Sequence, residues 1–234
     1  MSIVTAINNS QPTSIFLPEQ YTKRASEGDT PETFTDIYRD DTNIAIWQRK
    51  LSDDLALAAN ELLKSGTRIK IEEAVTANSV HTKLCNALGN SSAVKMLSDD
   101  ITLLVDMFCC LFDLKAAGLR LTALDRAMCP RFHFDRIPCR LVTTYHGIGT
   151  EWLPHHLVNR SKLGAGNQGK PDEQSGLFNK TADIRQLSQG DVALLKGEFW
   201  YDNDGAGVVH RSPVKREGLL NEHRLLLTLD FINE

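Results

Sequence analysis

The chain has 234 residues, 41% of them hydrophobic and 24% charged, with a formal net charge of −4. That is the composition of a soluble globular protein with one large domain or two small ones, and its sign disfavours a general electrostatic grip on nucleic acid or an acidic membrane. Five cysteines without framework spacing, an N-terminus "MSIVTAINNSQPTS" lacking a signal-peptide pattern, and a longest apolar run "ITLLVDMFCCLF" that is short and contains Asp106 argue for a cytoplasmic chain rather than a disulfide scaffold or a membrane protein.

Residues 1–40 are polar, with scattered Pro, Ser, Thr and Asp, and read as an irregular or partly ordered arm open to a partner. "NIAIW" (43–47) fits a short strand. Ser52 before "DDLALAANELLKSG" marks a capped helix, with acids in its first turn and Gly66 past its end. "IKIEEAV" suits strand or helix equally. "SVHTKLCNALG" reads as a short helix ending at Gly89, followed by a longer one over about 92–117. Leu97, Ile101, Leu104, Val105, Phe108, Leu111 and Phe112 give that helix one broad apolar stripe. After Gly118 the pattern changes to short β-rich segments, "LRLTAL", "RFHFD", "RLVTTY", "DVALLKG", "GVVHRS" and "HRLLLTLDF", divided by turn residues. Residues 155–182 form a long, polar, Gly-rich loop, of a length that is usually functional. The expected layout is α+β, with an arm and helical part over 1–118 and a β core over 119–234, packed as one domain.

The chemistry gathers in "CPRFHFDRIPCRLVTTYHGIGTEW" (129–152). On a strand, residues i and i+2 share a face, so His133 and Asp135 aim an imidazole and a carboxylate at one point. A facial iron(II) site needs two imidazoles and one carboxylate, with the remaining positions open. The third ligand should be a histidine on a later strand, and "GVVHRSPV" offers His210 after an apolar strand. The plainer reading of His133 and Asp135 is a hydrogen-bonded surface pair.

His133-x-Asp135, then Arg140, Thr143 and Tyr145, then "GTEW", "QGDVALLKG", "HRSPV" and a strand opening at Arg224 resemble the iron(II)- and 2-oxoglutarate-dependent dioxygenases, especially the prolyl-hydroxylase-like branch. The resemblance spans roughly 119–234. It implies a double-stranded β-helix, a jelly-roll or cupin-like core, with His133, Asp135 and His210 holding iron. It also implies that Arg224 pairs with the far carboxylate of 2-oxoglutarate, with Tyr145 and the hydroxyl of Thr228 nearby. The function implied is an oxygenase hydroxylating a small-molecule or protein substrate. Three features depart from the pattern. Arg216 and His223 compete with Arg224 in a lengthened gap, Leu226 stands where a Ser or Thr is usual, and "GTEW" replaces Gly-Gly-Glu-Thr. The segment also resembles a bacterial family of unknown function sometimes associated with genes for zinc limitation. The alternative is therefore a non-catalytic, zinc-binding protein on the same fold.

Other features have plainer readings. Cys129 and Cys139 bracket the motif and fit buried free thiols better than a zinc pattern, and Cys109 and Cys110 fit helix packing. His155 and His156 read as solvated, with the loop that follows them able to close over the site. Trp152 and Trp200 suit the core. "GAGNQG" (164–169) lacks the preceding strand and following helix of a dinucleotide site.

Overall fold

In the computed structural model the described residues are 22–66, 68–213 and 223–232. Ten strands and four α-helices follow one another: β1 Arg24–Gly28, β2 Thr42–Trp47, α1 Asp53–Lys64, β3 Lys70–Val75, α2 Ala77–Leu88, α3 Ser92–Phe112, β4 Ala117–Leu124, β5 Cys139–His146, β6 Glu151–Leu153, α4 Asp172–Ser175, β7 Arg185–Gln186, β8 Val192–Lys196, β9 Val209–Arg211 and β10 Arg224–Phe231. Seven strands make one sheet in the order β1-β2-β8-β5-β10-β4-β3, and three make a second in the order β7-β6-β9. Neighbours pair antiparallel throughout, except β1 with β2. Among the described residues no helix is long and apolar enough to cross a membrane.

Strand alternation builds two cores on the two faces of the large sheet. Leu119 and Leu121 of β4, Leu141 and Tyr145 of β5, Val192 and Leu194 of β8, and Leu225, Leu227 and Leu229 of β10 bury into one cluster with the apolar faces of α1, α2 and α3. On the other face Ile44, Ile46, Val142, Ala193 and Leu195 meet Trp152 of the small sheet, together with Leu187 and Val208. The residues between those positions, including Arg140, Thr122, Arg224 and Thr228, are thereby turned to the side of the small sheet.

Helix ends follow local chemistry. Ser52 and Ser91 accept hydrogen bonds from the Leu55 and Val94 N–H groups, each at 3.2 Å, and so cap α1 and α3. Asp113, in the left-handed region at φ 51°, ends α3, five residues short of Gly118. β4 begins at Ala117, whose side chain is fully buried, so core contact takes the chain into a strand before the glycine. The "IKIEEAV" segment resolves as β3.

Two further expectations are corrected. The 22–40 region is ordered: β1 pairs with β2, and a 3-10 helix over Pro31–Tyr38 buries Phe34 and Ile37. Three strands from before Gly118 thus complete the large sheet, so the N-terminal half is not helical alone. The 155–182 segment is a string of short helical turns that buries Leu177 and Phe178 against Phe132, Leu153 and Val209; its apolar residues pin it to the small sheet.

Candidate metal centre

"RFHFD" is not a strand. His133 instead forms an isolated antiparallel bridge with His210, donating its N–H to the His210 carbonyl at 3.0 Å and accepting from the His210 N–H at 2.9 Å. That exchange sets the two imidazoles side by side, with ring centroids 4.6 Å apart. Asp135 follows, and ligand atoms of the three side chains lie within 4.8 Å of one another. Nε2 of His133 is 3.8 Å from Asp135 Oδ1, and Nε2 of His210 is 3.6 Å from Asp135 Oδ2.

Protons decide what this cluster can hold. Nδ1 of His133 lies 3.0 Å from the Arg131 carbonyl, and Nδ1 of His210 lies 3.1 Å from the Val208 carbonyl. A carbonyl oxygen only accepts, so each Nδ1 carries a hydrogen and each ring turns its Nε2 toward Asp135. Burial holds the His210 pKa well below its ordinary value, so its Nε2 is a lone pair at neutral pH. A lone pair facing a carboxylate repels it unless a cation lies between them. Adjacent ligands at about 2.1 Å from an octahedral ion stand about 3.0 Å apart. The observed separations are somewhat wider than that, and the donor set of two imidazoles and a carboxylate fits a divalent transition metal.

Arg140 fixes the carboxylate. It donates to Asp135 Oδ2 at 2.6 Å and grips Asp230 with its other edge at 2.7 and 2.9 Å. One ligand oxygen is thus held while Oδ1 stays open toward His133. Asp172, 4% exposed, ties both histidine segments together. It accepts from the Phe132 N–H at 2.8 Å and Arg131 Nε at 2.9 Å, and lies 3.5 Å from the Arg211 guanidinium. Arg211 also reaches Glu151 at 2.7 Å and Glu173 at 2.8 Å. Outer-shell partners of ligating histidines are commonly worth 10- to 100-fold in metal affinity. Asp172→Asn is therefore expected to weaken Co(II) binding by about that factor, measured by calorimetry; unchanged affinity would mean that the loop only covers the site.

A cavity of about 70 Å³ opens beside the cluster, walled in part by His133, His210, Arg140, Thr150, Arg224 and Thr228. Arg224 is 7% exposed. It donates to the hydroxyls of Thr144, at 3.0 Å, and Thr150, at 2.7 Å, and no carboxylate among the described residues lies within ion-pair reach of it. The other arginines of this wall are paired: Arg140 with Asp135, Arg211 with Glu151, and Arg120 with Glu72 at 3.6 Å. Desolvation alone lowers the Arg224 pKa to about 10. Thr122 and Thr228, also in this wall, have buried hydroxyls without a partner among the described residues. A buried cation and two orphan hydroxyls in one cavity match a small anionic ligand. Gly147, at φ +86°, lets the chain pass Arg224: a Cβ there would meet the Arg224 Cα at 3.3 Å.

Tyr145 does not belong to this cavity. It shares a strand face with Leu141, is fully buried in the helix-side core, and donates to Asp100 Oδ2 at 2.5 Å. Arg49 holds the same carboxylate at 2.7 and 2.9 Å. Tyr145→Phe is expected to cost about 1–3 kcal/mol of stability in chemical denaturation and to leave 2-oxoglutarate affinity unchanged in a titration. Arg216 lies outside the described residues, and His223 is exposed. Cys139 is buried, but Cys129 and Cys110 are exposed, Cys129 at the cavity wall. His155 is half-buried rather than solvated, and burial lowers its pKa to about 4. Trp152 and Trp200 pack in the cores.

A family model described as protein of unknown function (DUF1826) matches residues 28–230. The chain belongs to that family. No curated protein matches it in sequence. Solved structures similar to this DUF1826 chain include a dioxygenase for auxin oxidation from rice, at 10% identity, covering 90% of this chain and 83% of that one, with a TM-score of 0.48. A prolyl-4-hydroxylase from Pseudomonas putida matches at 12% identity over 77% of this chain and 94% of that one, with a TM-score of 0.32. The non-heme alpha ketoglutarate dependent epimerase SnoN from nogalamycin biosynthesis matches at 14% identity over 85% and 81%, with a TM-score of 0.40.

Proposed function

We propose that this chain is a non-haem iron(II)- and 2-oxoglutarate-dependent oxygenase, its two sheets serving as a jelly-roll core of the double-stranded β-helix type. The observation that carries the reading is the convergence of three donors beside a small cavity that also holds a buried arginine with no acid in ion-pair reach among the described residues. His133 Nε2, His210 Nε2 and Asp135 hold the iron. Arg224 binds one carboxylate of 2-oxoglutarate, and the Thr228 and Thr122 hydroxyls donate to the same anion. Arg140 keeps Asp135 from rotating out of the ligand set. Iron(II) with 2-oxoglutarate supplies the activation of dioxygen, and the chain supplies orientation and exclusion of water. The test is oxygen consumption by anaerobically purified protein given iron(II) and 2-oxoglutarate. Turnover that releases succinate and carbon dioxide, and that stops in His133→Ala, supports the reading; no turnover by iron-loaded protein under any substrate mixture counts against it.

The same three donors also suit zinc. A zinc-binding protein without turnover would retain zinc through purification and bind it more weakly after His210→Ala.

A further inference from the structure

The metal cavity, about 70 Å³, is small beside the roughly 300–1,000 Å³ of sites for drug-sized ligands. A substrate of that size must lie mainly outside it. A groove of about 670 Å³ lies next to it, and Thr122 and Met128 belong to both walls. A larger cleft of about 840 Å³, along β1 and β7, shares no wall residue with the metal cavity. Of these two spaces, the groove is the one that adjoins the metal cavity.

Its charge is one-sided. Arg68, Lys70 and Arg126 line it against a single acid, Asp125. The antiparallel pairing of β3 with β4 causes this: Lys70 stands opposite Thr122, so the start of one strand and the end of the other bring their basic residues to one rim. Glu72 lies 3.7 Å from Lys70 and 3.6 Å from Arg120 at the junction. Among the described residues no acid lies within ion-pair distance of Arg68 or Arg126. In a chain of net charge −4, such a cluster beside the proposed metal is a local arrangement and not a property of the whole surface.

We propose that the groove receives the substrate and that the substrate carries an anionic group, a carboxylate or a phosphate, held by Arg68, Lys70 and Arg126. Thr122 and the exposed thioether of Met128 flank the path from that group to the metal. This rests on the metal reading above.

The experiment uses full-length protein loaded with Mn(II) and 2-oxoglutarate in the absence of oxygen. Three probes are added in turn: phenyl phosphate, followed by phosphorus relaxation, then 4-fluorobenzoate and neutral 4-fluorobenzyl alcohol, both followed by fluorine relaxation. The expected result is manganese-enhanced relaxation of one or both anions and not of the alcohol, the stronger arm telling phosphate from carboxylate. The enhancement should fall at least roughly fivefold in Arg68→Glu/Arg126→Glu, and by less in the double Gln variant, with Mn(II) affinity kept. Equal enhancement of the alcohol, no enhancement of either anion, or an unaffected double Glu variant overturns the proposal. Failure of wild-type protein to bind Mn(II) more tightly than His133→Ala is a different result: it overturns the metal reading, and the groove assignment falls with it.

Discussion

His210→Ala is expected to remove more than half of the metal-induced stabilisation. Structural zinc sites with four ligands are worth about 10–16 kcal/mol, or roughly 3–4 kcal/mol per ligand; losing one histidine then costs about 10²–10³-fold in affinity. In wild-type protein, metal at a thousand times its Kd adds about 4 kcal/mol to unfolding stability, visible as a raised melting temperature. At that concentration the variant should show less than about half of this shift. His210 is the most informative of the three candidate ligands because the residue is 7% exposed and its ring is already satisfied at Nδ1 by the Val208 carbonyl. The substitution removes one lone pair from the cluster and leaves Asp135 paired with Arg140. The loss is therefore read against apo protein of the variant itself. A full melting shift in His210→Ala would mean that the metal sits elsewhere and that the three side chains converge without holding it.

Why the cluster was legible in sequence, and its surroundings less so, follows from how each residue is placed. Metal chemistry demands particular residue types, so His133, Asp135 and His210 stand out wherever the backbone carries them. The structure brings them together although the motif is an isolated bridge and not the strand expected of "RFHFD". Tyr145 was misassigned because a resemblance of order ignored strand parity. In "CRLVTTYH" the inward set is Cys139, Leu141 and Tyr145, while Arg140, Val142 and Thr144 take the other face. An Arg at one position and a Tyr five residues later cannot share a face of a regular strand. Applied to "RLVTTY", that rule selects Thr144 as the residue under Arg224.

Asp172 was out of reach by the same logic. It sits in a polar loop, and nothing in "KPDEQ" distinguishes a buried carboxylate from a solvated one. Its role comes from tertiary contacts with Arg131, Phe132 and Arg211. The helices were read well because their stripes and serine caps are local. α1 and α2 end just before Gly66 and Gly89 as expected, while α3 stops short of Gly118, because the burial of Ala117 in the core is a long-range effect that the glycine conceals.

Arg224→Met should make the apo protein more stable and, at the same time, weaken its binding of 2-oxoglutarate. The guanidinium is 7% exposed and rests on two hydroxyls. The lowering of its pKa to about 10 by burial alone corresponds to about 3 kcal/mol spent on keeping the charge indoors. Methionine fills similar volume, needs no counter-ion and suits irregular cavities. A gain of about 1–3 kcal/mol in chemical denaturation is expected, the lower end allowing for the Thr144 and Thr150 hydroxyls left without a donor. The ligand effect runs the other way. Removing a buried charge that pairs with a ligand carboxylate costs about 2–5 kcal/mol, so 2-oxoglutarate affinity should fall by roughly 30- to 5,000-fold, with Co(II) affinity unchanged. The two effects together separate a binding residue from a structural one. An arginine that served the fold would destabilise on removal and leave the keto acid bound, and that pair of results would remove the co-substrate from the proposal. Stabilisation with loss of binding would identify Arg224 as a charge held against the preference of the fold, in wait for an acid from outside the chain.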